Sequence, residues 1–292
     1  MSRRQQLHQR WHSLLLLAYP RAWRRERGAE IRTTLLEASQ TQSGRLPALR
    51  EAASLLVGGL RTRARTSAGG SAGRLWHGGL HLGALSLLLG QAAAALQMQW
   101  AELVWARSQH AFYLPSPLAL LPLLGAVSVL RGRWRVGLVL TALTAATAFS
   151  PAVGDLDPWG DSWGTAVGYL LPVAIIGWLA WQRPPRQPRS WLWLLVPVLV
   201  ALDATVTGYA INGTGGQVTW LLLPALLVGA LGLAPVDPRP AIGAAVFLAP
   251  QLARILETSL AIRQPIGVLL WAGGTLALLL AAIWGTRRLA HA

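Results

Sequence analysis

The chain has 292 residues, of which 53% are hydrophobic and 13% are charged, and its mean hydropathy is +0.42. This charged fraction is about half that of an ordinary soluble protein, so the composition predicts a membrane protein rather than two soluble domains. The absence of cysteine excludes disulfides, thiolate metal ligands and cysteine nucleophiles. All 26 basic residues are arginine, which excludes a catalytic lysine and suggests a GC-rich bacterial genome.

The positive charge is concentrated at the N-terminus. Residues 1–74 contain 14 arginines and four glutamates, a net charge of +10, whereas residues 75–292 carry +5. A basic block before apolar segments is expected to remain in the cytoplasm and to face an anionic inner leaflet. Its apolar run Leu14–Ala18 is too short for a cleavable signal peptide. Nucleic-acid binding is the alternative explanation of a pI near 11.8, but no Arg-rich recognition helix or aromatic stacking platform is evident, so no such partner is expected.

The N-terminal block predicts three short amphipathic helices. The first covers residues 5–18 and ends at Tyr19-Pro20, because proline disfavours helical geometry in the preceding residue. The second begins after Gly28, and the third follows Pro47. The third helix presents four apolar residues on one face, Leu49, Ala53, Leu56 and Leu60.

The remainder of the chain predicts an all-α, polytopic bundle of about eight transmembrane helices. Each apolar segment is close to the roughly 20 residues that a helix needs to cross hydrocarbon. The expected spans lie near residues 75–98, 115–130, 136–153, 164–181, 191–211, 218–235, 241–258 and 265–286. The expected domains are a cytoplasmic three-helix module at 1–66, a flexible linker at 67–73, the bundle at 74–288 and a cytoplasmic tail at 289–292.

The arginines predict the orientation of these spans. With the N-terminus inside, the inner loops and the tail contain nine arginines, and the outer loops contain only Arg107 and Arg263. This bias obeys the positive-inside rule and predicts a bacterial inner-membrane protein with both termini in the cytoplasm. The nine inner arginines are Arg131, Arg133, Arg135, Arg183, Arg186, Arg189, Arg239, Arg287 and Arg288.

Three spans share the sequence Leu-Leu-Pro, at Pro122, Pro172 and Pro224. Their spacing of about 50 residues is the length of one helical hairpin and is compatible with duplicated hairpins whose second helices are kinked. The alternative, which we favour, is that leucine-rich membrane helices often contain proline.

The N-terminal block also resembles a known group of proteins. The segment 16–30, LLAYPRAWRRERGAE, is followed by LLEA at 35–38 and by REAASLLVGGLR at 50–61. This pattern is similar to the head of uncharacterised actinobacterial integral membrane proteins, and similar heads occur on HAAS-type signalling proteins and on FtsX-like permeases. The resemblance implies a membrane-tethered regulatory or accessory role; the short outer loops argue against the permease branch. The head motif consists of Tyr19, Pro20, Arg21, Trp23, Arg24, Gly28 and Glu30.

Charged residues within the spans are the strongest functional candidates, because an unpaired charge is costly in a membrane. Asp203 in the fifth span and Arg254 in the seventh are expected at similar depth, roughly 18–20 Å from the inner end. We therefore predict an intramembrane ion pair, with Glu257 as a second possible partner of Arg254. The pair could form a polar or proton-coupled site, or it could be a structural clasp between two helices.

Two further groups of polar residues are weaker candidates. His77 and His81 are spaced i, i+4 at the cytoplasmic end of the first span, where two imidazoles could bind a metal, but a protein site normally has three or four ligands. We interpret them as interfacial residues and expect no metal. Asp155, Asp157 and Asp161 form an outer acidic loop that lacks the calcium-loop pattern and is interpreted as a solvated loop.

No enzyme signature is present, since the sequence lacks both a phosphate-binding loop and a nucleophile elbow. We expect no cofactor and no catalytic residue, and interpret the chain as a signalling or accessory membrane protein. Its head would engage a cytoplasmic regulator or an ATPase. One alternative is a secondary transporter or an exporter permease subunit, with a polar cavity lined by Asp203, Arg254 and residues such as Gln91 or Thr207. A second alternative is a membrane enzyme acting on a lipid-like substrate.

Overall fold

The fold is all-α throughout the residues that the computed structural model describes, and these contain no strand. The described residues are 16, 19–41, 53–59, 61–62, 66, 72–108, 116–149, 163–182, 227–262 and 265–290. The helices are α1 (Arg21–Thr41), α2 (Ala72–Ser108), α3 (Leu121–Leu130), α4 (Trp134–Ala148), α5 (Trp163–Gln182), α6 (Arg239–Ile262) and α7 (Pro265–Ala290). A 3-10 turn at Pro117–Leu120 precedes α3, and residues 53–59 and 227–233 are also helical.

The chain divides into two compact units. The first comprises Met1–Ala72 with Arg287–Ala292, and the second comprises Gly73–Thr286. Ala72 and Gly73, which the composition placed in the linker, are the first residues of α2.

The second unit is organised around α2, which lies between two apolar clusters. Leu80 of α2 packs against both clusters, so this helix connects them. One cluster joins α2 to α3 and α5 through Ala84, Leu85, Leu88, Ala126, Val129, Ile175, Ile176 and Leu179. The other joins residues 227–234 to α6 and α7 through Ala230, Ala234, Ala241, Ile242, Ala245, Leu248, Leu278 and Ala282.

Glycines allow α2 and α6 to approach closely. A Cβ added at Gly79 would lie 2.5 Å from Cβ of Ile242, and one added at Gly83 would lie 2.5 Å from Cβ of Val246. Glycines separated by three residues allow close helix contact in membrane proteins. Because both residue numbers rise together along this contact, α2 and α6 run in the same direction.

The connection between α3 and α4 is a compact C-terminal cap. Gly132 has φ 72°, in the left-handed region that favours glycine, and its N–H donates to the carbonyl of Val129. The N–H of Arg133 donates to the carbonyl of Ser128. These two bonds form the Schellman motif, which satisfies carbonyls at the end of α3. Arg131 and Arg133 are therefore exposed on one short turn.

The helices extend beyond several predicted boundaries. The first predicted span, 75–98, lies within the longer helix α2, which continues to Ser108. Helices α3 to α7 overlap the second, third, fourth, seventh and eighth predicted segments. The fifth segment lies outside the described residues, and the sixth is described only from residue 227. Of the described helices, only α2 meets the combined length and hydropathy requirements of a membrane span, while α3 with its 3-10 turn, α4 and residues 166–182 are shorter apolar helices.

The predicted start of the second head helix was wrong. Helix α1 begins at Arg21, directly after Pro20, rather than after Gly28. The N–H of Arg24 donates to the carbonyl of Pro20, so the first turn forms where proline is well tolerated. Gly28 is buried in the interior of α1. The helix continues through it because one interior glycine costs only about 1 kcal/mol and does not end a helix by itself.

Candidate functional site

The first candidate site is a hydrogen bond between two helices of the bundle. Nε2 of Gln91 on α2 donates to the carbonyl oxygen of Gly168 on α5 at 2.8 Å. That carbonyl would normally accept from the N–H of residue 172, but residue 172 is a proline within α5 and has no N–H. The side chain of Gln91 therefore replaces a donor that the helix lacks.

The Gln91 site also retains an unused acceptor. Oε1 of Gln91 is buried and has no hydrogen-bond partner among the described residues. Exchanging the two amide atoms would place oxygen against the carbonyl oxygen of Gly168, so the assigned orientation is the favourable one. Pro250 of α6 packs beside Gly168, because a Cβ added at that glycine would lie 3.7 Å from Cβ of Pro250. The Gln91 amide and Pro250 thus both lie beside Gly168, one turn before Pro172, where α2, α5 and α6 adjoin.

The second candidate site is a buried ion pair at the start of α6. Asp237 and Arg239 are 4% and 7% exposed, and Nε of Arg239 lies 3.7 Å from Oδ1 of Asp237. The same oxygen accepts a 3.0 Å hydrogen bond from the backbone N–H of Arg239. The Arg239 side chain packs over Gly78 of α2, where an added Cβ would lie 3.0 Å from Cδ of Arg239. The turn therefore holds a charged pair against the first turns of α2.

The charge state of this pair depends on two opposing effects. Burial raises the pKa of the Asp237 carboxyl above its usual 3.8, and this is the largest effect. The positive charge and the backbone N–H of Arg239 act in the opposite direction. The carboxyl thus binds a proton more readily than an exposed aspartate.

The two predicted histidines lie on the same end of α2 and each contacts a tryptophan. The His77 ring stacks on Trp178 of α5, with centroids 4.8 Å apart, and its Nδ1 lies 2.6 Å from the carbonyl oxygen of Gly73. The His81 ring meets the edge of Trp134 on α4 at 5.0 Å. These contacts connect α2 to α4 and α5 at one end of the bundle. The described residues contain no group of three or more histidine, cysteine, aspartate or glutamate side chains that could hold a metal.

The head motif forms a contact between two distant parts of the first unit. Tyr19 is buried and stacks on Trp23, with ring centroids 4.0 Å apart. A Cβ added at Gly58 would lie 2.9 Å from the Tyr19 hydroxyl oxygen, so this glycine provides space for the tyrosine. Burial raises the pKa of the Tyr19 hydroxyl above its usual 10.0. The tyrosine and tryptophan of the motif thus build the core that receives the 53–59 helix.

The other motif residues mostly surround this core. Pro20 precedes α1, and the backbone of Arg21 begins it. Nε of Arg24 is buried and has no hydrogen-bond partner among the described residues, whereas Glu30 is exposed. Arg25 and Arg27 are also exposed, which leaves charged side chains along α1 available to solvent or to a partner.

The predicted Asp203–Arg254 pair remains a prediction. Asp203 and the acidic loop residues Asp155, Asp157 and Asp161 lie outside the described residues. Arg254 and Glu257 lie on the backbone of α6, but their side chains are outside the description. The register that pairs Gly79 with Ile242 and Gly83 with Val246 places position 254 at the level of Gln91.

Sequence reasoning missed the Asp237–Arg239 pair, since Arg239 was counted only as an inner-loop charge. The available signal was an aspartate and an arginine separated by one proline between two apolar segments. Gln91 was considered only as a cavity-lining residue. Its role could have been found by asking which side chain satisfies the carbonyl four residues before Pro172.

Comparison with known proteins yields no match to a family model, to a curated protein or to a solved structure.

Proposed function

We propose that the chain is a multi-pass inner-membrane protein of signalling or accessory type, with a cytoplasmic head that engages a protein partner. The observation that carries the membrane assignment is the outer surface of the bundle. Large apolar side chains are exposed on every helix from α2 to α7, and exposed apolar residues in such number favour an apolar environment. Examples are Trp105, Leu124, Val139, Trp181, Leu256 and Leu276.

Buried hydroxyl groups support the same assignment. Thr141 donates to the carbonyl of Gly137, Ser86 to that of Leu82 and Thr144 to that of Leu140. Each bond stays within its own helix, so these side chains need no water. Polar groups in hydrocarbon must find their hydrogen-bond partners within the protein, because no water is available there.

Two features support the signalling interpretation: the packing of the bundle and the exposed charged residues of the head. The two clusters of the bundle consist of aliphatic and small residues, a packing that suits a scaffold or a sensor. The head presents Arg25, Glu26 and Arg27 on the exposed side of α1, where a partner could contact them. Its resemblance to HAAS-type signalling proteins implies a regulatory role.

The topology is tested by reporter fusions in a bacterial host. Fusions at Asp157 and at Arg186 should report opposite compartments, with Arg186 in the cytoplasm. The same compartment for both would refute the multi-pass arrangement.

Engagement of a partner is tested by a photo-crosslinking amino acid at Arg27 in intact cells. We expect an adduct with a cytoplasmic protein. The matched control is the same probe at Trp105, which is exposed near the C-terminal end of α2. No adduct at Arg27, or equal adducts at both positions, would contradict the signalling interpretation.

A secondary transporter is the second candidate function, and the Gln91 site favours it. Helices interrupted by proline near the middle of a bundle often mark a transport site. Helices α5 and α6 are continuous but contain Pro172 and Pro250, and the Gln91 amide beside Gly168 retains a buried acceptor with no partner among the described residues. Reconstituted protein that carried a solute, with flux lost in Gln91→Leu, would support this candidate over the first.

A further inference from the structure

The helix at 53–59 has two chemically different sides. Leu55, Gly58 and Gly59 form the less exposed side, and Gly58 is fixed there because the Tyr19 hydroxyl would lie 2.9 Å from an added Cβ. Four residues of this helix are exposed, the aliphatic Ala53, Leu56 and Val57 and the polar Ser54, and the three aliphatic ones share one side. We refer to these three residues as the aliphatic face.

The aliphatic face is inverted relative to an ordinary amphipathic helix in water. Leu56 and Val57 are 42% and 41% exposed, while Gly58 faces the tyrosine. A helix of a soluble protein buries its branched aliphatic side chains and exposes polar ones. Exposed aliphatic side chains, grouped on one side of a short helix, therefore indicate a surface that meets an apolar environment.

The charge around the aliphatic face identifies that environment. No acidic residue occurs between Ala53 and Ser67, whereas this stretch contains Arg61, Arg63 and Arg65. The whole block 1–74 carries +10. An apolar face followed in the sequence by arginines is typical of helices that lie in the interface of an anionic membrane.

We propose that the aliphatic face inserts shallowly into the anionic inner leaflet of the membrane that holds the bundle. Ala53, Leu56 and Val57 enter the boundary between headgroups and acyl chains, and the neighbouring arginines meet lipid phosphates. This inference rests on the proposed cytoplasmic position of the head. It leaves the charged side of α1 available for the protein partner.

A lipid surface fits the aliphatic face better than a protein does. Protein interfaces typically bury about 800 Å² on each partner and depend on aromatic or arginine anchors in pockets. The aliphatic face contains three small or medium aliphatic side chains and no aromatic ring. Shallow insertion to about 5–10 Å needs no pocket and no shape complementarity.

The absence of cysteine makes a direct test possible, because one introduced cysteine can be labelled selectively. We would attach a nitroxide at Leu56→Cys or Val57→Cys in the full chain, reconstituted in nanodiscs of phosphatidylcholine with phosphatidylglycerol. The matched control is Thr33→Cys, on an exposed position of α1. A second control, Leu276→Cys on the outer side of α7, reports insertion of the bundle.

Electron paramagnetic resonance then compares collisions of each label with oxygen, which partitions into lipid, and with a water-soluble nickel chelate. We expect oxygen to dominate at positions 56, 57 and 276, and nickel to dominate at 33. In nanodiscs of phosphatidylcholine alone, positions 56 and 57 should shift toward nickel.

Each departure from this pattern has one meaning. A nickel-dominated label at 276 would overturn the proposed membrane function itself. A lipid-exposed label at 276 with water-exposed labels at 56 and 57 would overturn this inference and favour a protein partner for the face. Equal immersion in both lipid compositions would overturn the anionic requirement.

Discussion

Asp237 is a carboxyl group that the turn before α6 removes almost wholly from solvent. Burial disfavours its ionised form, and the guanidinium of Arg239 compensates only in part. A buried ion pair of this type contributes little net stability, but it fixes a geometry. Here the geometry connects the start of α6 to Gly78 of α2, through the side chain of Arg239.

The raised pKa of Asp237 predicts a pH dependence. The folded state binds a proton more tightly than the unfolded state, so it holds more protons between pH 3.8 and the raised value. The free energy of unfolding should therefore fall as pH rises through this interval and should be larger below it. Thermal unfolding in detergent, measured across this interval, tests the expectation.

Asp237→Asn is the matched control for this titration. The amide oxygen can still accept the N–H of Arg239, but it does not titrate. The difference in unfolding free energy between the wild type and the variant should change with pH in the same interval. A constant difference would show that Asp237 has the same pKa in both states.

Among the helix contacts, the Gln91–Gly168 bond corrects a defect that proline introduces into α5. Gln91→Leu should lower the free energy of unfolding by about 1 kcal/mol, because it leaves a partly buried carbonyl without a donor. Pro172→Ala restores the N–H of residue 172, which can then donate to Gly168. Thermal or chemical unfolding of the single and double variants measures the coupling.

The double variant distinguishes this explanation from general packing. If Gln91 acts by replacing the missing donor, Gln91→Leu should cost clearly less in the Pro172→Ala background. Additive effects of the two substitutions would mean that Gln91 stabilises the bundle by some other contact.

The contact between α2 and α6 depends on the absence of side chains at two glycines. Gly83→Ala would place a Cβ 2.5 Å from Cβ of Val246, so the helices must separate. Overpacking of this kind costs about 1–3 kcal/mol. The matched control is Gly232→Ala in the 227–233 helix, where nothing lies within 4 Å and alanine should be neutral or slightly stabilising. Equal melting temperatures for both variants would contradict the close packing.

The sequence predicts the helices better than it predicts their contacts. The positions of α3 to α7 were predicted from apolar segments bounded by arginine and proline. This was possible because charge and proline mark helix boundaries through their effects on neighbouring residues. The end of α2 was missed, since Gln97, Gln99 and Glu102 interrupt the apolar pattern without stopping a helix. Gln91 and Asp237 could not be assigned partners, because their bonds depend on which helices pack together and in which register.

At the scale of the whole molecule, the described residues place large apolar side chains both between the helices and on the outer surface. Alanines and glycines occupy the contacts between helices, as at Gly79, Gly83, Ala126, Ala234 and Ala282. Other leucines and valines, together with several tryptophans, are exposed on the outer surface. Small residues at these contacts bring helix backbones close together, as they do in membrane proteins. The arginine bias of the loops agrees with this arrangement.

The exposed apolar surface allows one substitution to distinguish water from lipid as the medium around the helices. Leu276 lies near the middle of the apolar part of α7 and is 56% exposed. In water, Leu276→Arg would change stability by less than about 0.5 kcal/mol, as at most exposed positions. At the centre of a membrane span the same arginine costs about 2.5–3.5 kcal/mol.

Trp181→Arg is the control, because Trp181 is 85% exposed at the end of α5, where arginine can reach the headgroups. We expect the amount of membrane-inserted protein to fall sharply for Leu276→Arg and to remain unchanged for Trp181→Arg. Full retention of both variants would exclude hydrocarbon from the surface of α7.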